Sequence, residues 1–414
     1  VSQTSQSRRI LAFPYSHTLS HLSRPLLIAI ELQKRNIEVI FAGEKQSLFV
    51  KQNAFEMVSV YEPDPQQLYG NIRNGKLRFV SNDEVGKMIE ADLELYRRVH
   101  PDLVLSDGRF TAPISAHIAG LKHVAIVNVS STEYRALPYV PVFDWIPKSI
   151  VTREGRLWRH IEKLNLYLEM AIFNSAMRIF SEHSKKLGLK TNITATNCLT
   201  GKDFTLLADI PEYFPTRNLP SNYQYIGPLT LKADIKPPAW WPPKKRRGGL
   251  VYITMGTTGI GEFFRIIHEL IQRTELTVVA STGGQIGDLS SIDGIIYLEE
   301  YLNGDLVMDM CDLVVCHGGN GTIYQALQHG KPIIGIPTIP DQKFNMRRVE
   351  SLGVGKTIGC DEFVKRPDVL LEAIAYVTGT RVFAQNARRM KSLIDRYDGG
   401  RLGADIVERM LTVW

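Results

Sequence analysis

The residues best suited to chemistry gather in Leu313-Val314-Val315-Cys316-His317-Gly318-Gly319-Asn320-Gly321-Thr322. A strand pattern runs into a glycine-rich turn and then into a helical pattern from Gly321 to His329. Such a turn offers free backbone N–H groups and the positive end of a helix to an anion, which makes it a phosphate cradle. His317 and Thr322 add side-chain donors, and Gly318, Gly319 and Gly321 admit a pyrophosphate that a Cβ would block. The same turn taken alone is also compatible with tight packing. No Gly-Lys-Ser/Thr follows it, so it is not a P-loop. Gly256-Thr257-Thr258-Gly259-Ile260-Gly261 has the wrong order for the dinucleotide fingerprint, which weighs against a dehydrogenase.

A second pair of interest closes the strand Ile333 to Ile336, where Pro337-Thr338-Ile339-Pro340 leads to Asp341-Gln342. A carboxylate accepts and an amide both donates and accepts, so the two together could grip vicinal hydroxyls, or simply form a surface turn. Near the N-terminus, His21 follows the first strand, with Ser23 as the expected N-cap and Pro25 in the first turn of a helix. A helix N-terminus favours neutral imidazole over imidazolium. Asp107 ends another strand of the same expected sheet, so both side chains should reach its carboxyl edge. His17 is the rival base, and any one loop histidine is as readily a structural residue.

The elements that must position these groups follow an α/β rhythm. Arg8 to Phe13, a loop, the helical pattern Leu26, Leu27, Ala29, Ile30, Leu32 and the strand Glu38 to Ala42 form a βαβ unit. That unit predicts a parallel sheet with its ligand site beyond the carboxyl ends of the strands. Leu103-Val104-Leu105 ending in Ser106-Asp107, a helix from about Thr111 to Gly120 and the strand His123 to Val129 repeat it. Thr230 to Gly249, dense in Pro, Trp and basic residues, reads as an inter-domain linker. Beyond it the strands Leu250 to Thr254, Thr277 to Ala280, Gly294 to Leu298, Asp312 to Cys316 and Pro332 to Ile336 build a second domain. The expected architecture is therefore two doubly wound, Rossmann-like parallel-sheet domains, 1–229 and 250–395, facing across a cleft. A C-terminal helix, 396–414, is expected to pack back on the first.

Composition removes several function classes. The 414 residues, 44% apolar and 22% charged, are ordinary globular material. Four of the positive charges behind the net +6 sit in one run, Lys244-Lys245-Arg246-Arg247, which reads as a solvated linker rather than a nucleic-acid patch and leaves only a weak case for peripheral membrane contact. Neither a membrane span nor a secretory signal is visible, and Cys198, Cys311, Cys316 and Cys360 lack any Cys-x-x-Cys pair. A cytoplasmic chain without disulfides or structural zinc is expected, although trimming ahead of Val1 could hide a leader.

Taken together, the motifs resemble the donor-binding half of the nucleotide-sugar-dependent glycosyltransferases of GT-B architecture, the large family 1 that includes plant, antibiotic-pathway and glucuronosyl transferases. The likeness runs from Tyr301 through His317-Gly-Gly-Asn-Gly-Thr322, Gly330-Lys-Pro332 and Asp341-Gln342 to Asn345 and Arg347-Arg348, near the bacterial macrolide-transferase form. Val251-Tyr-Ile-Thr-Met-Gly-Thr257, Ile226-Gly-Pro-Leu229 and the His21 to Arg35 spacing resemble it too. The chain departs at Tyr301-Leu302-Asn303-Gly304, where the family has Trp-x-Pro-Gln, and at Arg35-Asn36-Ile37-Glu38-Val39, where it has Arg-Gly-His-Glu-Val.

The resemblance implies an inverting, metal-independent hexosyl transfer from a UDP-sugar or dTDP-sugar to a hydroxyl of a small hydrophobic acceptor, with UDP-glucose favoured and no other cofactor. In its terms the N-terminal domain binds acceptor, His21 is the general base and Asp107 orients it. Thr257, Tyr301, Leu302, His317, Gly318, Gly319, Asn320, Gly321, Thr322, Asp341 and Gln342 bind donor. No Asp-x-Asp triplet offers a metal-bound diphosphate its usual handle, so no metal is expected. A nucleotide-sugar epimerase or hydrolase on the same frame, or a non-catalytic partner protein, are the alternatives. The aromatic stretches Tyr61 to Phe79 and Leu137 to Trp158 suit a flat or lipophilic acceptor, and suit a core equally.

Overall fold

The computed structural model describes residues 8–141, 156–231, 235–256, 262–284 and 289–412. The chain divides into two units, one of Val1–Leu229 with Tyr397–Trp414 and one of Thr230–Arg396.

The first unit is built on seven parallel strands: β1 (Arg9–Pro14), β2 (Glu38–Ala42), β3 (Glu56–Val58), β4 (Leu103–Asp107), β5 (Lys122–Val127), β6 (Phe204–Leu207) and β7 (Tyr223–Tyr225). Their order is β3-β2-β1-β4-β5-β6-β7. The central strands β1 and β4 are apolar along nearly their whole length because helices cover both faces and neither side of the strand meets water. Leu11, Phe13, Ile40 and Val104 pack against Leu95, Tyr96 and Val99 of the helix Asn82–Val99. On the opposite face, Ile28 of the helix Leu19–Gln33 meets Gly403 of the helix Gly399–Thr412 so closely that a Cβ at Gly403 would lie 2.5 Å from its Cδ1. Arg35 adds ion pairs of 2.7 Å to Asp405 and to Glu408. Strand order reverses between β1 and β4, where Pro14 pairs with Asp107. A reversal opens a crevice at the carboxyl ends of the two strands, the usual ligand position in open α/β sheets.

The first helix starts earlier than its sequence suggests. Thr18 is the N-cap and Leu19 the first helical residue, so Ser23 and Pro25 lie inside the helix and His21 is in its first turn. Burial of Leu22, Leu26 and Ala29 carries the helix through the proline, which lacks the N–H that would have bonded the His21 carbonyl.

The second unit has six parallel strands: β8 (Leu250–Thr254), β9 (Thr277–Ser281), β10 (Ile296–Glu299), β11 (Leu313–Cys316), β12 (Ile333–Gly335) and β13 (Gly355–Thr357), in the order β10-β9-β8-β11-β12-β13. Here the reversal falls between β8 and β11, with Thr254 paired to Cys316. Gly256 and His317 therefore leave the sheet side by side. From residue 235 onward, the segment read from sequence as a linker has neither helix nor strand and packs on this unit. Trp240 stacks 4.6 Å from Tyr297 and donates to Glu299 at 2.6 Å. Three of the four residues in the basic run meet carboxylates: Lys244 with Asp293, Lys245 with Asp312 and Arg246 with Glu275. The run is thus largely neutralised within its own surface.

Candidate active site

In the first unit the strand reversal brings His21 and Asp107 together, with Nδ1 and Oδ1 2.6 Å apart. Asp107 is fully buried, whereas the His21 side chain retains 31% exposure. An ionised carboxylate only accepts, and Arg24 Nη2, 3.1 Å from Nδ1, is committed to Oδ1 at 2.5 Å, so in the neutral form of the ring Nδ1 carries the proton and Nε2 keeps its lone pair. Gly108 makes this approach possible. Its φ of +77° is left-handed, and a Cβ there would sit 3.0 Å from His21 Cγ. The turn after β4 is further pinned by Arg109, which donates to the fully buried Asp92 at 2.6 Å.

Arg24, one helical turn beyond His21, grips Asp107 with both arms of its guanidinium, Nε to Oδ2 at 2.7 Å and Nη2 to Oδ1 at 2.5 Å. Its Nη1 donates to Asn128 Oδ1 at 2.6 Å, and Asn128 Nδ2 donates to Asp209 at 3.2 Å. Such a chain compensates the buried charge of Asp107, which would otherwise be costly. His17 faces elsewhere. Its Nε2 lies 2.9 Å from Glu44 and 3.4 Å from Glu62, and both Glu62 oxygens also accept from Ser16. Burial raises the Glu62 carboxyl above the usual range. Among the described residues, the donor atoms of His17, Glu44 and Glu62 lie close enough together, within 4.8 Å, to suit a cation.

In the second unit the turn after β11 is set by its glycines. Gly318 has φ +86°, and a Cβ would press on Met346 and the Gln342 carbonyl. Gly319 is the N-cap of the helix Asn320–Gln328, whose first-turn N–H groups have no intrahelical acceptor. The Gly318 carbonyl accepts from Asn345 Nδ2 at 3.0 Å and its N–H donates to Cys316 Sγ at 3.4 Å. The His317 ring is packed so tightly that a Cβ on Gly256 or Gly319 would lie under 3.0 Å from it. Burial pushes this imidazole down to about 4, so it is neutral at pH 7, and its buried Nδ1 has no hydrogen-bond partner. A buried polar atom left this way calls for a partner such as a water, an ion or a ligand. Helix end, neutral imidazole and small residues together suit a diphosphate.

Residues 265–394 match the family described as Erythromycin biosynthesis protein CIII-like, C-terminal domain. A PGL/p-HBAD biosynthesis rhamnosyltransferase of Mycobacterium bovis is 30% identical over 399 residues, spanning 96% of this chain and 86% of that protein. The chain belongs to the GT-B family 1 glycosyltransferases. Solved structures share the fold of this glycosyltransferase at lower identity. The glycotransferase of kitacinnamycin superimposes with a TM-score of 0.69 at 20% identity, covering 97% of this chain and 98% of that one. The spinosyn rhamnosyltransferase complexed with thymidine diphosphate gives 0.70 at 16% identity, covering 97% and 100%.

The remaining expected donor residues of the glycosyltransferase fall in separate stretches of the sequence. Tyr301, 57% exposed, and the buried Leu302 follow β10. The departure from the family pattern has a local purpose, since Asn303 caps the helix Gly304–Met310 by accepting from the N–H groups of Asp305 and Leu306. Thr257 lies outside the described residues, as does most of the aromatic stretch between Leu137 and Trp158. Asp341 stands in the first turn of the helix Pro340–Ser351, where its Oδ2 accepts from Asn345. Gln342 is buried, and its Oε1 accepts from Thr338 N, Thr338 Oγ1 and Ile339 N. That oxygen fastens the loop ahead of the helix instead of standing open to a hydroxyl.

Sequence reasoning passed over Arg24, Asn128 and Asp209. The signal for Arg24 was its i+3 spacing from His21, which places both on one helix face. Asn128 and Asp209 follow β5 and β6 and so reach the same sheet edge as Asp107.

Proposed function

We propose that this glycosyltransferase moves a 6-deoxyhexose of the rhamnose type from a dTDP-linked donor to a hydroxyl of a lipophilic natural-product acceptor, with inversion and without a metal. The His21–Asp107 pair at the strand reversal carries the reading. His21 Nε2 takes the proton of the acceptor hydroxyl as it attacks the anomeric carbon, and Asp107, held by Arg24, stabilises the imidazolium that forms. As the bond to the nucleotide breaks, charge grows on the β-phosphate. The first-turn amides of Asn320, Gly321 and Thr322, the Thr322 hydroxyl and His317 stabilise it, with Thr257 as a further donor.

The sugar differs from the UDP-glucose expected from the Asp341-Gln342 pair. Gln342 Oε1 is engaged by its own loop, which leaves Asp341 as the carboxylate for the C3 and C4 hydroxyls that rhamnose retains. The rhamnosyltransferase relative and the thymidine diphosphate complex support the change. Thermal shift with dTDP and UDP, followed by turnover of dTDP-rhamnose against UDP-glucose, tests it. Preference for UDP-glucose in both assays would return the earlier reading.

A further inference from the structure

The helix Arg156–Ala176 carries an exposed apolar surface. Leu157, Leu164, Tyr167, Leu168 and Ile172 are 39–71% exposed, five of the seventeen exposed large apolar side chains among the described residues. Such residues scattered singly need no explanation, but a concentration on one helix does. Positions 157, 164, 168 and 172 are spaced to fall on one helix face, with Ala171 exposed beside them. The stripe does not result from a misplaced core face. On the other side, Trp158 and Leu166 are buried, Glu169 pairs with the buried Arg135, and Asn165 donates to the Val140 carbonyl at 2.8 Å.

Charge selects the occupant. Residues 156–190 hold seven Lys and Arg against three Glu. Of those three, Glu169 is buried and Glu182 is paired with Arg178. Lys163, exposed about 100° round the helix from Leu164, and Arg159, exposed further round toward the buried side, pair with no carboxylate among the described residues. No described helix is long and apolar enough to cross a membrane. An apolar stripe with a basic flank on a helix that does not span is the pattern of an element lying in a bilayer interface. The core of a protein interface, by contrast, is depleted of Lys.

We propose that the helix Arg156–Ala176 docks the protein on an anionic lipid bilayer, with Leu157, Leu164, Leu168 and Ile172 entering the acyl boundary and Arg159 and Lys163 on headgroup phosphates. This docking is independent of which sugar is transferred. Co-sedimentation of the full chain with phosphatidylcholine vesicles, with and without phosphatidylglycerol, tests it. Wild type should bind the anionic vesicles, less at high salt. Leu164→Asp/Ile172→Asp should lose about 10-fold or more in partitioning. Arg159→Gln/Lys163→Gln should lose the preference for phosphatidylglycerol. Both pairs replace exposed side chains, so the urea midpoint should stay at the wild-type value. Failure of wild type to bind, or undiminished binding by the Asp variant, would overturn the proposal. So would a wild-type oligomer that the Asp variant dissociates, because the stripe would then meet a second copy of the chain.

Discussion

Arg24 and His21 converge on the same oxygen of Asp107, Nη2 at 2.5 Å and Nδ1 at 2.6 Å from Oδ1, while Arg24 Nε takes the other oxygen at 2.7 Å. One buried carboxylate thus fixes the His21 ring and is itself held by a permanent cation.

His21→Ala should lower kcat on the order of 10²-fold to 10⁴-fold with the donor KM nearly unchanged, because only proton transfer in the transition state is removed. Steady-state kinetics at fixed acceptor measures this. His17→Ala, which removes a ring held between Glu44 and Glu62, should leave turnover within a few-fold of wild type; the reverse pattern would make His17 the base.

Arg24→Met should cost about 3–5 kcal/mol in urea unfolding, the usual penalty for stranding one buried charge of a pair. Asp107→Asn leaves the buried Arg24 guanidinium without its anion, so it too should cost stability while slowing turnover. A small loss for Arg24→Met would mean that water reaches Asp107 and that the pair matters little.

Acid should weaken both units. Burial depresses His123 to about 3 and His317 to about 4. His123 donates from Nε2 to Ser106 Oγ and accepts at Nδ1 from Lys202 N–H, which holds it neutral. Below the unfolded value of about 6.5 the unfolded chain takes up protons that the folded rings refuse. Stability should therefore fall with pH from about 6.5 toward 4, on the order of 1 kcal/mol per pH unit for each ring. His329 acts oppositely: its hydrogen bond to Asp305, reinforced by Asp309, raises it, so its contribution is present at low pH and lost as pH rises through its folded value. Urea midpoints from pH 7.5 downward would rise or stay level if burial of His123 and His317 were not the controlling factor.

If a helix end and a neutral imidazole supply the phosphate contacts, as proposed, dTDP should raise the melting temperature equally with and without EDTA. A shift that appears only with added Mg²⁺ or Mn²⁺ would contradict this account.

Asp341→Ala should lower kcat/KM for the sugar nucleotide about 10-fold or more, equivalent to about 1.4 kcal/mol, while affinity for free nucleotide diphosphate persists. Gln342→Ala should instead destabilise the fold by about 1–3 kcal/mol, because the Thr338 and Ile339 N–H groups lose their acceptor. Equal effects of the two substitutions on both readouts would erase the distinction between sugar contact and loop fastener.

The parallel α/β character of the glycosyltransferase and the strand-turn-helix setting of His317 to Thr322 are legible in the amino-acid order alone. Apolar runs and glycine positions are local signals, and parallel connections oblige every loop that follows a strand to emerge at one edge. That rule suffices to place His21 and Asp107 on a common rim from their order along the chain. Which partners meet there depends on packing. Arg24 and Asp107 are 83 residues apart, and their bidentate grip depends on the β1–β4 register. The helix start at Leu19 depended on burial of Leu22 and Leu26, which outweighs the proline and cap residues that a local reading favours. Lys245 in the basic run met Asp312, a carboxylate far along the chain. Gln342, local in sequence, was assigned by the geometry of its loop. Hydrogen bonds require direction and distance within tenths of an ångström, and only the packed chain supplies them.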